Sequence, residues 1–282
     1  MLDEKKAECS STLLNKFLAS AGVASRRKSA SLIKNGLVTV NGQTVTDPAF
    51  RVSEGDQVCF RGAPLALPGR KYYIMLNKPR GYVCTAEDAH APKKALDLIR
   101  IEGNPRLFSA GRLDKNSEGL ILFSNDGDFV NRLTHPRNEI VKTYEVSVSV
   151  PLSRSDIARF LAGVEDAGEI LRALEVSPVT PLKYRIRLNE GKNREIRRMI
   201  ASAGKKTCRL KRISLGKLHL GSLPSGKWRF LSEKEVLAAL QSGMPSLLPS
   251  EESPLFPNQE EKENITSCGK GEKRSRGPLG NR

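Results

Sequence analysis

Asp114 closes a charged "GRLD" and is followed closely by "GLILFS", one of the most apolar runs in the chain. Aspartate is depleted in strands and costly to bury without a partner, so a carboxylate beside a core strand is either a turn residue or a paired, functional charge. Ionised, it could attack carbon or remove a proton. Three other stretches hold side chains that would complete such a site. "LNKPRGYVCT" sets Lys78 and Arg80 in a rigid Pro-Gly turn that presents cations, "VKTYEVSV" places Lys142 and Tyr144 on one strand face, and "EGKNREIRRM" opens a helix with Arg194, Arg197 and Arg198. Each alone has a structural reading: an ordinary turn, a cross-strand tyrosine, a solvated helix face. Together they offer a carboxylate, an arginine to pair with it, and an aromatic ring able to lie against a base.

These side chains need elements to hold them, and the apolar periodicity supplies them. "YYIMLNK", "GLILFSN", "TYEVSVSV" and "KYRIRLNE" read as strands, while "DGDFVNRLTHP", "SRSDIARFLAGV" and "NREIRRMIASAG" read as helices. Strands and helices without regular alternation predict an α+β domain on a mainly antiparallel, mixed sheet, over residues 71–242. Ahead of it lies a smaller module at 12–60. Leu13, Leu14, Phe17, Leu18 and Ala21 have helical spacing, a second helix starts at Ser25 and ends at Gly36, and "LVTVNGQTV" is a hairpin about Asn41-Gly42. The Gly/Pro-rich stretch 61–70 reads as a linker, and 243–282, dominated by Pro, Ser, Glu and Lys, as a disordered tail.

The net charge of +16 implies a polyanionic partner. Beyond residue 242 six Lys/Arg and six Asp/Glu cancel, so the whole excess belongs to the part expected to fold. It is concentrated in two places. Arg26, Arg27 and Lys28 open the second helix, and 13 Lys/Arg against 2 Asp/Glu fill the stretch from Lys183 to Lys217. A solvated face usually mixes signs, so the single-sign stretch reads as a polyphosphate surface. Few aromatics interrupt it, which favours backbone and shape recognition of structured RNA over a stacking platform for single strands. Five scattered cysteines without a C-x-x-C, and three histidines, argue against a disulfide scaffold or a metal site. No run approaches the roughly 18 apolar residues of a membrane span, and the acidic start "MLDEKKAECS" lacks a signal core, so a cytoplasmic protein is expected.

The segment "LNKFLASAGVASRRKSASLIKNGLVTVNGQTV" resembles the S-four domain, a small RNA-binding module. The ordered set "LNKPRG", "GRLD", "KTYEV" and "NREIR" resembles the pseudouridine synthases, specifically the RsuA-type branch that modifies ribosomal RNA and carries an N-terminal S-four domain. The resemblance, over residues 12–240, implies an enzyme that isomerises uridine to pseudouridine. The bond from ribose to the ring nitrogen breaks, the uracil turns, and ribose rejoins carbon-5, with no atoms gained or lost. It therefore implies no cofactor and no metal. By motif, Asp114 matches the essential aspartate, Tyr144 the tyrosine packed on the target base, and Arg197 the basic partner of the aspartate. Arg112 falls near the flipped nucleotide, and Lys78, Arg194 and Arg198 join Arg26, Arg27 and Lys28 as RNA-binding candidates. The sequence departs from the family pattern at Asn116, Ser117 and Glu195, beside the matched residues.

Ribosomal RNA or a ribosomal subunit precursor is the implied partner, with no membrane and a monomeric enzyme; "NREIRRM" and "THPRNEIVKTYEV" favour the large subunit. Two other functions stay open. A noncatalytic RNA-binding assembly factor would explain the basic surface but has no need of "GRLD", "KTY" and "NREIR". A nucleoside or glycosyl hydrolase would need a second carboxylate to manage water, and Asp126, Asp128 and Glu118 sit in settings that read as a helix start and a turn.

Overall fold

The computed structural model describes residues 11–85 and 93–242; the tail expected from 243 lies outside the described residues. They form two compact units, one running to Lys142 and resuming at Lys211, the other comprising Thr143–Leu210. The fold is α+β, and no described helix is long and apolar enough to cross a membrane.

The first unit begins with the small module. Helices Leu14–Ser20 and Arg26–Lys34 pack on strands Val38–Val40, Arg51–Val52 and Val58–Phe60 through Leu14, Phe17, Leu18, Ile33, Val38, Val40, Val52 and Val58, and Gln43–Thr44 pairs with Val38–Val40 at the exposed edge. Ser25 caps the second helix, its hydroxyl accepting the Lys28 N–H at 3.4 Å. Asn41 and Gly42 both have positive φ, at 50° and 78°, the backbone that a two-residue hairpin requires. The segment read as a linker begins as structure: Ala63–Pro64 adds a strand beside Val58–Phe60.

The rest of this unit is built on strand Glu118–Ser124, buried at every position because it has packed neighbours on both faces. Tyr73–Lys78 pairs antiparallel along its whole length, with Leu76 opposite Ile121, and Trp228–Phe230 extends the sheet beyond Tyr73–Lys78. On its other side the partner changes midway. Phe108–Ala110 pairs antiparallel with the end of the strand, Ala110 opposite Leu122, while Lys211 and Arg212 pair in parallel with Glu118 and Gly119 at its start. Helices Gly127–Thr134 and Glu233–Leu240 cover one face, closing a core of Met75, Leu120, Leu122, Phe129, Leu133, Leu215 and Ala239.

In the second unit strands Glu175–Thr180, Lys183–Leu188 and Lys142–Val148 lie side by side in that order, with helices Arg154–Ala162 and Glu195–Ser202. Ser153 and Asp156 form a reciprocal cap on the first of these helices. A hairpin of Val164–Asp166 and Glu169–Leu171 completes the unit.

Candidate active site

Asp114 lies in the loop that joins Phe108–Ala110 to Glu118–Ser124. The loop alternates in exposure: Arg112 is exposed, Leu113 is buried, Asp114 is half-buried and Lys115 is exposed. Leu113 therefore roots the loop while Arg112 and Lys115 reach solvent. The place of "GRLD" beside an apolar strand has a geometric reason. The change of strand partner leaves the middle of Glu118–Ser124 without a strand on this side, and the Asp114 loop leaves Ala110 at that point. Within the loop the Ser117 N–H closes a turn on the Asp114 carbonyl at 3.0 Å. Ser117 is buried and Asn116 exposed, so of these two departures from the family pattern only Asn116 faces solvent.

The "KPRG" turn lies against this loop. The Gly81 N–H donates to the Lys115 carbonyl at 2.7 Å, and the Leu113 N–H donates to the Cys84 sulfur at 3.4 Å. Asp114 is thus flanked on both sides by residues bonded to one short segment, Gly81–Cys84. Lys78 is not the presented cation that the sequence suggested. It is fully buried, and its Nζ donates to the carbonyls of Pro79 at 2.9 Å and Tyr82 at 2.8 Å. The reason is its register: Lys78 ends a strand whose last five positions are all buried, so its stem is core and its ammonium must find carbonyls. Burial pushes this ammonium below the usual lysine range, while Cys84, Asp114 and Glu118 act on it in the opposite direction.

Arg212, which sequence reasoning counted only as one of the basic surface residues, is also buried, with 3% of its surface exposed. Its Nε donates to the Leu120 carbonyl at 2.7 Å, at the place where Glu118–Ser124 changes partners and a backbone acceptor would go unused. Cys84 was missed altogether. Burial pushes its thiol up, against the Leu113 N–H and the cations Lys78, Arg212 and Arg112. Cys84 also lines a mostly apolar cavity of about 220 Å³ with Thr85, Leu96, Leu107, Phe108, Ser109 and Phe123. The only sequence signal for Cys84 was its place three residues after Gly81 of the "KPRG" turn.

The other matched residues belong to the second unit. Tyr144 is a buried residue of strand Lys142–Val148. Arg194 is exposed ahead of helix Glu195–Ser202, with a left-handed φ of 50°, and Arg197 is half-buried on the helix. Glu195, the third departure, is buried and accepts the Lys192 N–H at 3.0 Å, so its carboxylate closes the turn before the helix. Arg198 differs from expectation. Its guanidinium bonds Asp166, the Asp166 carbonyl at 2.6 Å and Glu169 at 2.5 Å, which ties the helix to the hairpin and uses its charge inside the fold. Other cations of the basic stretch are likewise paired with acids: Arg187 with Glu175, Lys192 with Glu190 and Lys205 with Asp156. Arg26, Arg27 and Lys28, by contrast, are all exposed on one helix of the small module. Among the described residues no cluster of His, Cys, Asp and Glu is placed to hold a metal ion.

Comparison with known proteins agrees with both parts of the chain. Residues 72–202 match the RNA pseudouridylate synthase family and residues 13–58 match the S4 domain. An uncharacterized RNA pseudouridine synthase of Aquifex aeolicus is 37% identical over 79% of this chain and 91% of its own length. Ribosomal small subunit pseudouridine synthase A of Salmonella typhimurium is 33% identical over 79% of this chain and 97% of its own. A crystal structure of a pseudouridylate synthase superposes with a TM-score of 0.60 and 29% identity, covering 80% of this chain and 99% of that one. With an S4 domain ahead of a synthase domain and relatives matched over nearly their full length, the chain belongs to the pseudouridine synthases, as an RsuA-type enzyme.

Proposed function

We propose that the chain isomerises a uridine of ribosomal RNA to pseudouridine with Asp114 as its essential carboxylate. The observation that carries this reading is the setting of Asp114: half-buried, in a loop rooted by Leu113 and bonded on either side to the short segment Gly81–Cys84. A carboxylate held this way costs little reorganisation when it acts on the ribose or the ring. Tyr144 packs on the target base and Arg197 serves as counter-ion to the carboxylate; these two roles rest on the motif match. Exposed Arg112 and Arg194, with Arg26, Arg27 and Lys28 on the small module, contact RNA phosphates. The enzyme acts as a monomer in the cytoplasm, with ribosomal RNA or a subunit precursor as substrate.

The motif segments favour a uridine of the large subunit. A small-subunit target is the second reading, because relatives from Salmonella typhimurium and Escherichia coli, 33% and 32% identical, are named ribosomal small subunit pseudouridine synthase A. Mapping pseudouridine in both ribosomal RNAs, with and without this protein, decides between them. The catalytic assignment is tested by Asp114→Asn, which keeps the size of the side chain and removes the charge. Release of tritium from carbon-5 of labelled uridine should fall by at least about 10³-fold while RNA binding persists. Near-normal release would overturn the assignment.

A further inference from the structure

Asp114 is not held by its own loop alone. Of the residues that flank it, Leu113 donates its N–H to Cys84 Sγ at 3.4 Å and Lys115 accepts the Gly81 N–H at 2.7 Å. Both partners come from one short segment, Gly81–Cys84, which is itself immobilised from two directions. Inside its turn the buried Lys78 ammonium binds the Pro79 and Tyr82 carbonyls. On the other side Val83, next to Cys84, accepts the Ala95 N–H at 2.9 Å and donates to the Lys93 carbonyl at 3.0 Å. Cys84 therefore offers its sulfur from a fixed backbone to the N–H of Leu113, the residue before Asp114.

From this geometry we infer that Cys84 is a positioning residue for the reaction: its thiol, as a hydrogen-bond acceptor, sets the orientation of the Arg112–Leu113 peptide, fixes Leu113 ahead of Asp114 and so aims the carboxylate. The inference rests on Asp114 being the essential carboxylate. A neutral thiol suits the task. It is a weak acceptor, and in an apolar wall it carries no charge that would compete with Asp114 for the neighbouring cations. Burial keeps the thiol protonated despite the proximity of Lys78, Arg212 and Arg112. The bond adds little to stability, but a carboxylate displaced by a fraction of an ångström loses much of its catalytic benefit, so its loss should appear in kcat rather than in binding or folding.

The test compares Cys84→Val, which keeps the bulk and removes the acceptor, with Cys84→Ser, which keeps an acceptor. Tritium release from carbon-5 gives kcat and KM, filter binding gives the RNA Kd, and a thermal melt gives Tm. Cys84→Val should lower kcat by about tenfold or more with KM, Kd and Tm near those of the parent, and Cys84→Ser should recover most of the loss. Parental kcat in Cys84→Val, or an equal loss in Cys84→Ser with Tm maintained, overturns the inference. If Cys84→Val is too unstable to assay, Cys84→Ala against Cys84→Ser below both midpoints decides by the same criterion. Asp114→Asn run alongside separates the two claims. Activity in that variant removes the catalytic reading, whereas an inactive Asp114→Asn beside a fully active Cys84→Val removes only the positioning role.

Discussion

Gly119 approaches Arg212 so closely that a methyl group on Gly119 would stand 2.2 Å from the Arg212 carbonyl oxygen and 2.8 Å from its nitrogen. These two residues are register partners in the parallel pairing at the start of the Glu118–Ser124 strand, next to the Asp114 loop. Gly119 also has a φ of +104°, which side chains rarely adopt. Gly119→Ala should therefore destabilise the protein by about 2–5 kcal/mol, combining backbone strain with overpacking against main chain that has nowhere to move. A urea melt measures it; a loss below about 1 kcal/mol would show that the two strands can part.

That pairing also shows what the sequence could and could not tell. Strands Tyr73–Lys78 and Glu118–Ser124 and helices Gly127–Thr134 and Glu195–Ser202 were legible because their apolar runs and periods are clean, and the caps at Ser25 and Asp126 carry their usual chemistry. Strand Thr207–Leu215 was not. Its "TCRLKRISL" is so rich in cations that it read as phosphate surface, yet Arg212 is drawn inside by a backbone carbonyl that lacks a strand partner. Lys78 misled in the same way. A charged residue next to Pro-Gly resembles a solvent turn unless the buried strand before it is allowed to run to its last residue. For Arg212 the deciding fact is a backbone acceptor far away in the chain, and for Lys78 it is the burial imposed by neighbouring strands; local spacing encodes neither.

Arg198 and Arg194 should separate folding from binding. Arg198→Ala removes the bonds to Asp166 and Glu169 and frees the hairpin from helix Glu195–Ser202, so the Tm should fall. Arg194→Ala, at an exposed position, should leave stability within about 0.5 kcal/mol and weaken RNA binding. Paired thermal melts and binding titrations check this. The opposite pattern would place Arg198 on the RNA.

The Arg229–Glu235 pair gives a pH dependence with a definite sign. Glu235 takes bonds from Arg229 at 2.9 Å and 2.5 Å and from the Ser232 N–H at 3.0 Å, and its carboxyl is lowered to about 2, chiefly by the Arg229 hydrogen bond. A depressed carboxyl contributes stability above its unfolded value near 4.5 and loses that contribution as pH falls toward 2. Because 30% of the Glu235 side chain and 41% of Arg229 remain exposed, the contribution is discounted for screening to about 1 kcal/mol. Glu235→Gln should thus cost about 1 kcal/mol at pH 7, with the gap from the parent narrowing as pH drops below about 4.5. A gap that does not change with pH would mean that packing, not charge, is lost.

Salt dependence should distinguish cations that meet RNA from those that hold the fold. Each phosphate neutralised adds about 0.7–0.9 to the slope of log affinity against log salt. Arg26, Arg27 and Lys28 are exposed together on helix Arg26–Lys34, so replacing all three with Ala should weaken binding and flatten the slope by that amount for each phosphate left without its cation. Lys78→Met should behave differently. Lys78 is fully buried and its Nζ is engaged by two carbonyls, so the slope should stay at the parental value. Its cost should appear instead as a lower Tm and a slower turnover, because the turn that supports Leu113 and Lys115 loses its internal tie. A fluorescence titration across a salt series, run on both variants, checks the pair. An unchanged slope in the triple variant would remove the small module from the RNA contact, and a reduced slope in Lys78→Met would bring Lys78 to the surface of the complex.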